Sequence, residues 1–125
     1  PSTGNIMYRW LVTLCISLMP LFGTSAELLM VHEKYCSWCD AWENEIGPIY
    51  AKTAEGKFAP ISKIELADSM NDNRIQERIL YTPTFVLVEN GHEIARIEGY
   101  PGEEFFWTLL EEVLLTNTGF TELEK

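Results

Sequence analysis

Basic residues are scarce in this chain. Nine Lys and Arg stand against nineteen Asp and Glu, a formal net charge of −10. No basic cluster occurs, which argues against nucleic acid and anionic lipid surfaces as partners. Cysteine is scarce too: three in 125 residues are too few for a small domain stapled by disulfides. There are two histidines. A structural zinc site needs about four ligands, and neither His32 nor His92 has zinc-finger spacing from the cysteines. No metal and no cofactor is therefore expected. There is no internal repeat and no low-complexity segment. The apolar run Trp10–Phe22 is short of the ~20 residues that span a bilayer, and Pro20 interrupts it.

That run reads instead as the centre of a secretory signal peptide. Pro1 is not a natural translation start, whereas Met7 is a plausible one. Met7-Tyr8-Arg9 gives a short positive start, and Gly23-Thr24-Ser25-Ala26 a small-residue end suited to cleavage after Ala26. Leu14 before Cys15 does not suit a lipoprotein attachment site. Residues 1–26 are thus read as upstream sequence plus signal peptide, 27–115 as one domain, and 116–125 as a polar tail. Cleavage removes Cys15 and Arg9, leaving an acidic exported domain with two cysteines. Such a domain is stabilised by its core, and it fits a redox protein better than a disulfide scaffold.

The two cysteines stand in Cys36-Ser37-Trp38-Cys39. The motif follows the apolar segment Glu27–His32, which reads as a strand. It opens a segment whose Trp38, Ala41, Trp42, Glu45 and Ile46 fall at helical spacing. Strand, Cys-x-x-Cys, then helix is a redox arrangement. A cysteine at a helix N-terminus meets free N–H groups and the positive end of the dipole, and both favour thiolate. Thiolate is the species that attacks disulfides. An inert structural disulfide is the plain competing reading.

Further along, Gly47-Pro48 should kink or end the first helix, and Ile49–Lys52 reads as its continuation. Ala59-Pro60 marks a loop, and Ile61–Leu66 alternates like a half-buried strand. Asn71–Leu80 is expected to be a short helix capped by Asn71 or Asp72. Thr84–Val88 is a continuous apolar strand, Asn90-Gly91 a hairpin turn, and His92–Glu98 the returning strand. Gly99–Gly102 is a turn. Glu103–Leu115 is a helix with acidic residues in its first turn, and Phe105, Phe106, Leu109, Leu110, Val113 and Leu114 on one face. Trp42 and the Phe105/Phe106 pair are expected in the core. The order is βαβα–ββα: an α/β fold with one four-stranded mixed sheet and helices on both faces.

The Cys-x-x-Cys at the end of the first strand, together with Tyr81-Thr82-Pro83-Thr84-Phe85, resembles the thioredoxin-like fold. Read alone, Pro83 is a trans proline at a strand start. The resemblance implies a cis bond and a position facing the two cysteines, with Thr82 offering its backbone to a partner. A closer resemblance covers nearly all of the chain after residue 26. It is carried by Leu28–Val31, Trp42, Glu45–Tyr50, Lys52–Lys57, Thr82–Leu87 and Glu98–Glu103. These segments look like the SoxS-type periplasmic thioredoxins of bacterial sulfur-oxidation operons. That resemblance implies a periplasmic thiol–disulfide oxidoreductase, most simply a disulfide reductase acting on a thiol carrier protein of thiosulfate oxidation. A membrane thiol electron donor would recharge it. The chain departs from ordinary thioredoxin in having Met30, not a buried aspartate, six residues before the first cysteine.

On this reading Cys36 is the nucleophile and Cys39 the resolving thiol, with Trp38, Thr82 and Pro83 contacting substrate. Glu33 is the acid nearest in sequence, read chiefly as a solvated strand-end residue. His32 and Lys34 are read as surface residues. An isomerase or oxidase of the same fold, or a non-catalytic redox-sensing module, stays open, because direction depends on reduction potential. With no extra dimerisation segment visible, a monomer is expected.

Overall fold

The computed structural model describes residues 26–124. The signal-peptide reading, the Met7 start and Cys15 lie outside the described residues. Strand β1 (Ala26–His32) leads into helix α1 (Ser37–Glu45), followed by the short helices α2 (Gly47–Tyr50) and α3 (Ala54–Phe58). Then come β2 (Ile61–Glu65), the single-turn helix α4 (Leu66–Ser69), β3 (Thr84–Glu89), β4 (His92–Glu98), α5 (Glu103–Asn117) and a 3-10 turn (Glu122–Glu124). The sheet order is β2-β1-β3-β4, with β1 and β2 parallel and the other pairs antiparallel. The four-stranded mixed α/β arrangement is the expected one.

Alternation along the strands sorts side chains onto two faces. Leu28 pairs with Leu87 and Met30 with Phe85 on one face, and Leu29 pairs with Val86 on the other. All six are buried. The first face is covered by α1 and α5: Trp42 packs on Phe85 and Phe106, with ring centroids 5.5 and 5.9 Å apart. Burial of a ring such as Phe106 contributes about 1.5–3 kcal/mol. Tyr50 closes the far end, its hydroxyl donating to the Ala59 carbonyl at 2.7 Å. Thr53 caps α3 by accepting from the Gly56 N–H at 3.0 Å. The Asn90-Gly91 turn has positive φ at both residues, 54° and 80°, as a tight hairpin turn requires.

Three expectations are corrected. The helix expected over Asn71–Leu80 is absent. The helical turn lies earlier, at Leu66–Ser69, and residues 70–83 cross the second face without regular structure. Charge holds that crossing. Arg74 donates to Asp72 and Glu27, and Arg96 to Glu93 and the Glu77 carbonyl. Ile75 and Ile79 meet Leu29, Val31, Val86 and Val88 beneath it. Secondly, the apolar face of α5 is narrower than expected. Phe106, Leu110 and Leu114 are buried, while Phe105 and Leu109 are exposed. A four-residue repeat defines the stripe that meets the sheet, and the neighbouring stripe points to solvent. Thirdly, residues 116–125 are not simply a polar tail. The helix runs to Asn117, and Phe120 is buried with its ring 5.2 Å from that of Phe58.

Candidate active site

The end of β1 and the start of β3 lie side by side, because Val31 pairs with Thr84. The turn to α1 therefore leaves the sheet beside the loop that enters β3. The first carries Cys36 and Cys39, the second Thr82 and Pro83. In this way residues almost fifty positions apart come together at one end of the sheet.

Cys36 and Cys39 form a disulfide, with Cα atoms 5.2 Å apart. Cys36 does not begin the helix but caps it. Its φ and ψ are extended, and its Sγ accepts from the Cys39 N–H at 3.1 Å. The Asp40 N–H is bonded to the Cys36 carbonyl at 3.1 Å. A sulfur in the cap position takes up an N–H that the first turn would leave unpaired. The same group would stabilise a thiolate there after reduction. Both cysteines are buried, Cys39 at 4% exposure more deeply than Cys36 at 9%. They join the same core cluster as Met30 and Trp42. Met30 is fully buried, so the acid position of ordinary thioredoxin is filled by a thioether.

The Thr82–Pro83 bond is cis and Pro83 is buried. The Pro83 carbonyl accepts from the Gly99 N–H at 2.7 Å, and the Tyr81 carbonyl from Thr84 Oγ1 at 2.6 Å. Between them, the N–H and C=O of Thr82 make no hydrogen bond among the described residues. Trp38 is 61% exposed and lines one groove of about 540 Å³ with Thr82, Tyr81, Glu98, Gly99, Tyr100 and Pro101. Of the residues singled out from the sequence, Trp38 and Thr82 line this groove, while Cys36, Cys39 and Pro83 are not among its lining residues.

Tyr81, Glu98 and Tyr100 were not singled out from the sequence. Tyr100 reaches from the groove to the thiol-bearing helix, its hydroxyl donating to Glu45 Oε2. Burial first, and then the Glu45 carboxylate, push the Tyr100 hydroxyl well above the ordinary phenol range. A sequence signal existed in the Gly99–Gly102 turn, whose two glycines have φ of 83° and 103°. Among the nearby charges, His32 faces Glu65 at 3.7 Å, and Lys34 lies over the Tyr35 ring. Lys34 is exposed, as expected of a surface residue, whereas His32 is half-buried. Glu33 is exposed, but it is engaged: Thr82 Oγ1 donates to its Oε1 at 2.8 Å.

No protein-family model and no curated protein matches the chain. Solved structures do. The periplasmic thioredoxin SoxS from Paracoccus pantotrophus, in its reduced form, is 36% identical with a TM-score of 0.64. That match covers 71% of this chain and 95% of the other. Thioredoxin f2 from Chlamydomonas reinhardtii is 16% identical with a TM-score of 0.56, over 77% of this chain and 82% of its own. Thioredoxin-2 of the malaria parasite protein secretion machinery is 19% identical with a TM-score of 0.54, over 71% and 84%. The latter two share the fold.

Proposed function

The chain belongs to the thioredoxin family, in its SoxS-like branch, and as a thiol–disulfide oxidoreductase of that branch we propose that it is an exported disulfide reductase. Its substrate is a periplasmic thiol carrier protein of sulfur oxidation, and a membrane thiol electron donor returns it to the dithiol state. The observation that carries this reading is the cysteine pair at the cap of α1, beside a groove rimmed by Trp38 and Thr82. Export rests on the small-residue end of the apolar run at Ala26 and on the periplasmic relative.

In the reductive half-reaction the Cys36 thiolate attacks one sulfur of the substrate disulfide. A Cys36–substrate bond forms, the substrate S–S bond breaks, and the leaving sulfur departs as a thiolate. Cys39 then loses its proton and attacks Cys36 Sγ. This closes the Cys36–Cys39 disulfide and releases the second substrate thiolate. Two electrons have moved to the substrate. The assignment of attacker and resolver follows from position, since Cys36 is the less buried of the two residues and its sulfur receives the helix N–H. Trp38 covers the groove rim. Pro83 holds the loop so that the unpaired N–H and C=O of Thr82 take an extended partner segment by edge pairing.

The test combines insulin reduction with a measured reduction potential. A reductase reduces insulin readily and has a potential nearer about −270 mV than about −120 mV. An oxidising potential at the upper end would assign the chain to the oxidases or isomerases of this fold. Failure to exchange at all would leave a redox-sensing module.

A further inference from the structure

Thr82 is held by a carboxylate from a distant part of the chain. Its Oγ1 donates to Glu33 Oε1 at 2.8 Å, across a sequence separation of 49. Glu33 directly follows β1 and opens the turn to Cys36. Within that turn Tyr35 has φ of 66°, a left-handed conformation uncommon for a residue with a side chain. On the other loop, the carbonyls of Tyr81 and Pro83 are already taken by Thr84 and Gly99. The Glu33 bond is thus a direct polar link between the loop that carries the thiols and the loop that leads into β3. Both groups reach solvent, so water competes for them and the bond adds little to global stability. What it does is restrict one side chain at the point where a partner's backbone would pair.

We infer that Glu33 is a positioning residue for partner docking. Its carboxylate fixes the Thr82 side chain, and through it the peptide groups on either side, so that they meet a partner strand in line with Cys36. The inference rests on the docking role proposed for Thr82. Glu33 touches no reacting sulfur. Without it, the partner must order the loop as it binds, and that ordering weakens docking while the sulfur chemistry is unchanged. The role belongs to the acceptor oxygen and not to the negative charge, and this separates it from simple electrostatic attraction.

Steady-state reduction of insulin by the full dithiol protein tests this, alongside exchange with uncharged bis(hydroxyethyl) disulfide, which needs no edge pairing. Glu33→Ala should raise KM for insulin roughly three- to tenfold, the scale of one ordinary net hydrogen bond. Its kcat, its rate with the small disulfide and its reduction potential should hold. Glu33→Gln keeps an acceptor and should stay close to the parent KM. Adding Thr82→Val to Glu33→Ala should raise KM no further, because both remove the same bond. An unchanged KM in Glu33→Ala, an equal rise in Glu33→Gln, an additive double variant or a shifted small-disulfide rate would each overturn the inference. If the parent protein exchanged with the small disulfide yet left insulin untouched, the docking reading itself would fall, and the inference with it. Parent turnover with an unaltered variant KM sinks the inference alone.

Discussion

On one face of the sheet, Trp42, Phe85 and Phe106 interlock beneath two multi-turn helices. On the other, Leu29, Val31, Val86 and Val88 lie under a single helical turn and an irregular crossing. The first cover is held by apolar burial, with Tyr50, Phe106 and Trp107 extending its aromatic cluster. The second depends on Ile75 and Ile79 and on the Arg74 and Arg96 networks to hold the chain down. The redox pair belongs to the first face, and the loop proposed above to dock a partner is the exit of the second. A rigid helical mount suits a sulfur that must be presented at a fixed point, and an irregular segment suits backbone that must stay unpaired to receive a partner. The site is where the two kinds of cover meet.

The largest effect should come from the sulfur on the helical face. Cys36→Ser is expected to abolish insulin reduction, while Cys39→Ser accumulates a mixed disulfide visible on a non-reducing gel. Equal trapping by both variants would erase the distinction between the cap sulfur and the one a turn inside. Next, Phe106→Ala should destabilise by about 3–5 kcal/mol in urea unfolding, against about 2 kcal/mol for Ile79→Ala. If Ile79→Ala cost as much, the irregular cover would be as tightly packed as the helical one, and the contrast would break. A smaller loss is expected at Gly56, where an added Cβ would stand 1.8 Å from the Tyr50 carbonyl oxygen. Gly56→Ala must displace backbone on the helical face, at a cost of about 1–3 kcal/mol. A neutral result there would mean that α2 and α3 yield easily.

The smallest effect should be electrostatic and confined to the second face. Hydrogen bonds from Arg74 hold the Asp72 carboxyl below its ordinary range, against the opposing pull of desolvation. A carboxyl whose folded pKa is depressed favours folding above its unfolded value, near pH 4. That contribution fades as pH falls through the folded value. Asp72→Asn is therefore expected to cost about 1 kcal/mol at neutral pH, with the gap to the parent protein closing as pH falls below about 4. Parallel stability curves for the two proteins across that range would show that the Arg74–Asp72 pair does not hold the crossing.

The same contrast marks how far the sequence could be read. On the helical face the strand–Cys-x-x-Cys–helix order and the burial of Trp42 and Phe106 were legible, as was the Asn90-Gly91 hairpin, whereas Tyr100 and its bond to Glu45 were not. Nor was the crossing. Asn71–Leu80 carries a cap residue and apolar positions at a helical interval, yet Arg74 and Arg96 find partners at Asp72, Glu27 and Glu93 that fix an irregular path. The expected stripe on α5 was too broad, because Phe105 and Phe106 are equally apolar. Phe120 was missed inside a segment of mostly polar residues, since its packing partner, Phe58, lies far away in sequence.

What the sequence determined by itself is local. A cysteine at a strand–helix junction, a glycine after asparagine and a run of β-branched residues each act within a turn or a strand. Their physics is set by immediate neighbours. The tertiary structure decided what depends on register. Pairing Val31 with Thr84 carries Thr82 to Glu33, and the turn after β4 carries Tyr100 to Glu45. Which of two adjacent apolar stripes on α5 faces inward was also decided there. These outcomes follow from strand pairing and helix rotation, which shift as rigid bodies, so no single residue's preference encodes them.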